Sequence, residues 1–235
     1  MLIHLSWSGG KDSALCYARL RQLYPQACIQ LHCAVNESLE RVSMHGVPLS
    51  LIEAQAQAMN TALRVIHVPA ASDNSAYEQV MLDFYRQIQA EGCTQVAFGD
   101  LHLEDLRQYR LALCRRAGIH ALFPLWKEPY SSLSKCFEKW QIRTLICAAD
   151  LQKLPADITG KDYNPEGFAR RFPDVDMFGE KGEFHTFVYD AAFFQNPLPV
   201  SCRGIRHQAY HYTLADGRRH THTYAFADLV LSEAD

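Results

Sequence analysis

Short apolar runs bounded by turn residues alternate with longer stretches of helical periodicity through the first half of the chain. Residues 2–7, 28–35, 64–68 and 95–98 read as strands. Residues 11–23 and 103–117 read as helices, and Ile52, Ala56, Met59 and Leu63 recur at the spacing of a helical stripe. Ser75 and Glu78 match a capping box that opens another helix, with Tyr77, Val80, Met81, Phe84 and Ile88 on its inward face. About four rounds of strand and helix imply an α/β fold: a parallel sheet with right-handed crossovers and helices on both faces. Ligands of such a sheet lie beyond the carboxyl ends of the strands.

After Pro124 the rhythm breaks. A helix over 132–140 and a strand over 142–147 continue the pattern. Residues 150–183, with Pro155, Pro165, Pro173 and four glycines, show little periodicity and read as a long functional or mobile loop. Residues 204–231 alternate about Asp216-Gly217, a hairpin signal. A two-residue turn there would set His211 opposite His222 and Thr213 opposite His220. His207, His211, His220 and His222 would then share one face, with Tyr210, Tyr212 and Leu214 on the other, packed one. Three imidazoles within reach suit zinc, but no Cys or Glu completes the set, so the reading adopted is a polar solvent face.

With 235 residues, 48% hydrophobic and 21% charged, the chain can bury a full-sized core, which excludes disordered and collagen-like classes. Its net charge of -3 leaves no broad basic field for a nucleic-acid backbone. The eight cysteines show no C-x-x-C spacing, which argues against a zinc knuckle, a redox pair or a cysteine-held iron-sulfur centre. The first residues carry no basic leader and no apolar run of membrane length, so a cytoplasmic location with no membrane partner is expected.

The clearest chemistry lies between the first strand and the first helix, where Ser8, Gly9, Gly10, Lys11, Asp12 and Ser13 spell SGGKDS. Adjacent glycines rule out the Walker A spacing and the G-x-G-x-x-G fingerprint. A strand-to-helix turn needs glycines for tightness alone, but a loop that also offers helix-end amides, two hydroxyls and an ammonium reads as a phosphate cradle. Gly99 and Asp100 follow the fourth strand and border the same cleft. Asp100 can hold magnesium or cap the next helix. His32, Cys33 and Asn36, at the end of the second strand, are candidates for an adenosine pocket. Near the end of the irregular stretch, Gly179, Glu180, Lys181, Gly182, Glu183, Phe184 and His185 gather two carboxylates and an imidazole before a strand. This is either a charged turn or a site for an amine or metal with a proton-shuttling histidine.

Four stretches together resemble the diphthine-ammonia ligase family, a branch of the ATP pyrophosphatases or adenine nucleotide alpha hydrolases: SGGKDS, Phe98-Gly99-Asp100-Leu101, Pro124-Leu125-Trp126 and GEKGEFHTFVYDAAFF. The likeness spans about residues 1–195. Lys181 stands where the diphthamide-making members have glycine, His185 where they have glutamate and Phe178 where cysteine often stands, a form similar to the bacterial-type branch. The resemblance implies a Rossmann-like (HUP) ATP-binding domain over 1–128 and a smaller C-terminal α+β substrate domain over 129–235. It implies an ATP-dependent, AMP-forming carbon-nitrogen ligase that adenylates a carboxylate and transfers ammonia or an amine. The carboxylate would be diphthine or another acid, such as a corrinoid side chain, on a small molecule or a protein. ATP and Mg2+ are the expected cofactors. Ser8 to Ser13, Gly99 and Asp100 would bind the nucleotide, Asp12 and Asp100 the metal, and Lys11, Glu180, Glu183 and His185 would act in catalysis. A tRNA thiolase of the same superfamily and a non-catalytic ATP or AMP sensor are the alternatives.

Overall fold

The computed structural model describes residues 1–42, 45–69, 74–213 and 219–232. Its elements in chain order begin β1 (Leu2–Ser6), α1 (Lys11–Leu23), β2 (Cys28–Asn36), β3 (Arg41–Val42), α2 (Leu49–Ala58), β4 (Leu63–Val68) and α3 (Asn74–Ala90). They continue with β5 (Gln95–Ala97), α4 (Glu104–Arg116), β6 (His120–Leu122), α5 (Tyr130–Lys139) and β7 (Arg143–Asp150). After a single 3-10 turn at Ala156–Ile158 come β8 (Asp162–Tyr163), α6 (Pro165–Arg171), β9 (Phe184–Asp190), β10 (Val200–Thr213) and β11 (Arg219–Leu231). No helix among the described residues is long and apolar enough to cross a membrane.

The first sheet is parallel in the spatial order β4-β2-β1-β5-β6, with β3 pairing antiparallel on the end of β2. Ile3, His4 and Leu5 at the centre of β1 are completely buried, as a sheet covered on both faces requires. One face packs on α3 and α4 through Met81, Phe84, Ile88, Val96 and Leu113. The core on the other face runs from Leu5, Leu15 and Ile52 without a break into Ile146, Phe184, Phe187 and Leu229 of the second sheet. That second sheet is antiparallel: β7 pairs with β9, with β8 and, through Tyr224 to Phe226, with the long β10-β11 ribbon.

The two sheets are stitched together at the turn after β1. The β9 amide of Val188 donates to the Gly9 carbonyl at 2.8 Å, and the Lys11 amide donates to Thr186 Oγ1 at 3.0 Å. Gln55 of α2 is fully buried beside this seam. Its Nε2 donates to the carbonyls of Gly9 (3.0 Å) and Val188 (2.6 Å), and its Oε1 accepts from Trp7 Nε1 at 2.8 Å.

Several expectations are corrected by the packing. Residues 150–183 are not a structureless loop: Asn164 Oδ1 accepts the Gly167 amide at 2.9 Å and Pro165 opens α6, an Asn-Pro helix start that the scattered glycines obscured. Leu63 belongs to β4 rather than to the α2 stripe. Tyr77 is 37% exposed, and Glu78 pairs with Arg116 on α4. His32 is buried against His4, Phe84 and Tyr85, Cys33 is buried in the core, and Asn36 Oδ1 accepts the Ser38 and Leu39 amides of a turn, so each is engaged within the fold. The ribbon register pairs Tyr210 with His222 and His211 with Thr221, one residue away from the expected pairing. With a side-chain period of two, that slip puts His207 and His222 on opposite faces. The turn at Asp216-Gly217, and Leu214 with it, lies outside the described residues.

Replacing Gln55 by leucine keeps the volume but leaves the Trp7 indole N–H and the Val188 carbonyl buried without a partner. At about 1–3 kcal/mol for each of the two orphaned groups, Gln55→Leu should lose about 2–6 kcal/mol of stability in a urea unfolding titration. A variant as stable as wild type would show that the seam contributes nothing to the fold.

Candidate active site

The parallel sheet changes direction between β1, followed in sequence by β2 on one side, and β5 on the other. A doubly wound sheet opens a crevice at this switch point, outside the carboxyl ends of the two strands. A cavity of about 570 Å³ lies there. Ser6, Ser8, Asp12 and Ser13 line it from β1 and α1, and Gly99, Asp100, Leu103, Leu106 and Arg110 from β5 and α4. The segment 179–185 covers the other side through Gly179, Glu180, Lys181, Gly182, Phe184 and His185, and His45 completes the lining. Another depression, about 640 Å³, lies at the opposite end of β4 beside Glu53, Asn60 and Leu63 and gathers no comparable set of charged and hydroxyl groups.

Gly9 has φ +80, the left-handed region that glycine adopts without strain, and a Cβ there would stand 2.6 Å from Ile52 Cδ1. A Cβ on Gly10 would stand 2.9 Å from the Thr186 carbonyl and 3.0 Å from His45 Nε2. The space beside both glycines is therefore filled by protein, and their smallness lets α2 and β9 approach the loop. Ligand access comes one residue later, where Asp12 and Ser13 line the cavity in the first turn of α1, whose amides have no intrahelical acceptor. The Ser13 hydroxyl donates to the Gly10 carbonyl at 2.8 Å.

Lys11 is only 2% exposed and stands outside the lining. Its ammonium pairs with Asp12 Oδ2 at 2.9 Å and lies over the Phe184 ring at 5.1 Å. Glu183 also stands outside the lining: its carboxylate takes the Lys181 amide at 2.9 Å and Lys153 Nζ at 3.3 Å, which folds the 180–183 turn. Glu180 does face the cavity, and its Oε1 accepts the backbone amides of Leu101 (3.2 Å) and His102 (3.0 Å), clamping the loop that carries Asp100.

Burial is the largest influence on the cavity's carboxyl groups and raises the pKa of Asp12, Asp100 and Glu180. Lys11 opposes the rise at Asp12 and Arg110 at Asp100, while the Asp12 charge adds to the rise at Asp100 and Glu180. Asp12 Oδ1 is buried with no hydrogen-bond partner. The Asp12 side chain as a whole is 35% exposed and lines the cavity, and a carboxylate there fits a magnesium ion that takes one or two carboxylates and keeps phosphates and waters for its other ligands. Asp100 is already matched by Arg110, whose Nε stands 2.8 Å from Oδ2. No group of three or more His, Cys, Asp or Glu side chains among the described residues is arranged to hold a metal.

His185, expected to titrate near neutrality, has its pKa driven well below 6.5 by burial, with His45 and Lys11 adding to the effect. Its ring centroid is 4.5 Å from that of His45, and its Nε2 has no hydrogen-bond partner. Sequence reasoning missed His45, Gln55 and Arg110. Only Arg110 left a readable signal: it falls at i+7 from Leu103 and i+4 from Leu106, a cation within the apolar stripe of α4.

His4, lowered to about 4, and His32, lowered well below its ordinary value, are neutral in the fold for the same reason as His185, burial. Histidines that the folded chain cannot protonate bind protons only when unfolded. Their contribution to stability is therefore complete above pH 6.5 and is lost as the pH falls below it. In 15N spectra at pH 6, all three imidazoles should show the neutral tautomer pattern. A protonation midpoint near 6.5 for His185 would overturn its assignment as a neutral group.

The family model for the diphthamide synthase N-terminal domain matches residues 1–121. Among solved structures, a predicted subunit of tRNA methyltransferase from Methanocaldococcus jannaschii is similar at 18% identity and a TM-score of 0.43, covering 81% of this chain and 98% of that one. The U34-tRNA thiolase NcsA from Methanococcus maripaludis, with its [4Fe-4S] cluster, is similar at 16% identity and a TM-score of 0.40, covering 59% of this chain and 56% of that one. Likenesses this distant carry no functional information. Comparison with curated proteins gave no match.

Proposed function

The chain belongs to the diphthamide synthase N-terminal-domain family of the ATP pyrophosphatase superfamily, and from that premise we propose that it is an ATP-dependent, AMP-forming amide ligase. A substrate carboxylate oxygen attacks the α-phosphorus of ATP, the α-β bond breaks, and pyrophosphate leaves. Ammonia then displaces AMP from the acyl adenylate to form the amide. The observation that carries this reading is the Glu180 clamp: one carboxylate ties the GEKGEF segment to the Leu101 and His102 amides, so that nucleotide loop and acceptor motif enclose one cavity.

In this reading residues 1–128 take the nucleotide and residues 129–235 supply the acceptor side. The α1 amides at Asp12 and Ser13 receive phosphate oxygens where the helix dipole is positive. Asp12 holds the magnesium, which supplies charge neutralisation of the phosphates when bound. Glu180 keeps Asp100 and its loop in place and adds negative charge on the acceptor side, where an amine is attracted and phosphates are repelled. His185, on the cavity wall and neutral at pH 7, suits contact with uncharged ammonia rather than the storage of ammonium. The acceptor acid is carried by a small molecule or a protein. A thiolase would bring sulfur chemistry to the same phosphates, but no cysteine lines the cavity among the described residues.

Incubation with ATP, magnesium, ammonium and a panel of carboxylates should release AMP and pyrophosphate in equal amounts on ion-exchange chromatography. ADP and phosphate would remove the chain from this mechanism. Glu180→Gln keeps an oxygen for both amides but removes the charge. Its turnover should fall about 10²-fold, the scale of a lost acid-base or electrostatic group, with ATP affinity near wild type. If Glu180→Gln turns over normally while Glu180→Ala does not, the side chain is a clamp and its charge is idle.

A further inference from the structure

We infer that Arg110, not Lys11, is the fixed cation that meets the polyphosphate of ATP and carries the charge of the departing pyrophosphate. The inference rests on the ATP-dependent reading above. The lysine of the SGGKDS loop is the obvious choice from sequence, but its ammonium is buried against Phe184, paired with Asp12 and not part of the cavity lining. The lysine and arginine side chains that line the cavity among the described residues are Lys181, which is exposed, and Arg110.

Arg110 is held on two sides. Asp100 Oδ2 stands 2.8 Å from Nε, and the guanidinium carbon lies 4.4 Å from the Phe98 ring centroid. Ion pair and stacking together fix the plane of the group and spare its two terminal nitrogens, the edge that matches a phosphate in bidentate fashion. The chain that carries Asp100 is pressed on the start of α1: a Cβ on Gly99 would stand 2.7 Å from the Asp12 carbonyl and 3.2 Å from the Ser13 amide. Arg110 is thereby anchored across the same small cavity from the α1 amides. A di- or triphosphate carries anionic oxygens enough for both the guanidinium and the amides, whereas a single carboxylate serves one. The Asp100 carboxylate offsets part of the guanidinium charge, which leaves the site selective for a multiply charged ligand.

Isothermal titration calorimetry with ATP, inorganic pyrophosphate and AMP, each with magnesium, separates the possibilities. Arg110→Lys keeps the aliphatic stem over Phe98 and the charge beside Asp100 but loses the fork. Arg110→Gln combined with Asp100→Asn removes both charges and leaves no buried carboxylate unpaired. Both variants should weaken ATP and pyrophosphate by about 10- to 100-fold, the range for lost hydrogen bonds to a charged group, with AMP within about threefold of wild type. Pyrophosphate binding unchanged in both, with circular dichroism showing folded protein, overturns the inference and leaves the ligase reading standing. An equal loss of AMP binding also overturns it, by placing Arg110 at the nucleoside or α-phosphate. Wild-type protein that binds neither ATP nor pyrophosphate overturns both readings.

Discussion

The turn after β1 has to satisfy three partners at once, and the architecture of the site follows from that. The Gly9 carbonyl accepts from Val188 of β9 and from Gln55 of α2, while the Lys11 amide spends itself on Thr186. Those bonds make the loop part of both sheets. A side chain at Gly9 or Gly10 would strike protein at under 3 Å, so glycine is required before any ligand is considered. The same seam determines where segment 179–185 lies, because β9 continues it directly. The cleft wall and the core share these contacts, so its geometry is set by folding rather than by a mobile lid.

Electrostatics sharpen the picture. Three carboxyl groups face a cavity of about 570 Å³, and burial raises the pKa of each. Such a cavity is poorly satisfied when empty and improves when a cation enters with a polyanion. Arg110 offsets one carboxylate and the α1 dipole favours phosphate, which divides the space into a phosphate-receiving side and an acceptor side bearing Glu180 and a neutral His185. The Lys11-Asp12 pair has a structural part: the buried ammonium lies near the rings of Phe178 and Phe184 and holds the Asp12 carboxylate, which lines the cavity, through Oδ2.

Periodicity and turn chemistry made the parallel sheet legible, because both signals are local. The alternation from β1 to α4 could be read from runs such as Leu2 to Ser6, whose central residues Ile3, His4 and Leu5 are buried on both faces. The loop Ser8 to Ser13 and the GEKGEF segment were legible as candidate chemistry, yet their division of labour was not. Whether Glu180 or Glu183 faces the cleft depends on a turn held by Lys153, thirty residues away, and whether Lys11 faces it depends on two phenylalanines more than 160 residues away. The histidine ribbon failed for a related reason. Its register runs unbroken from Ile205 paired with Ala227 to Thr213 paired with Arg219, one residue away from what a two-residue turn at Asp216-Gly217 sets, and a one-residue difference reverses every side chain. Gln55 looked like any polar residue beside a helical stripe, because its three partners, Trp7, Gly9 and Val188, come from two segments far from it in sequence.

The central claim is that nucleotide lies between the first turn of α1 and segment 179–185. A co-crystal structure with magnesium and the α,β-methylene analogue of ATP tests it most directly, since the α-β bond cannot break and the position of every phosphate is recorded. The expected result is density for the phosphates at the Asp12 and Ser13 amides, with Glu180 and His185 facing the α-phosphate from across the cavity. Nucleotide bound elsewhere, such as the depression beside Glu53 and Asn60, or phosphates remote from Asp12, would contradict the account.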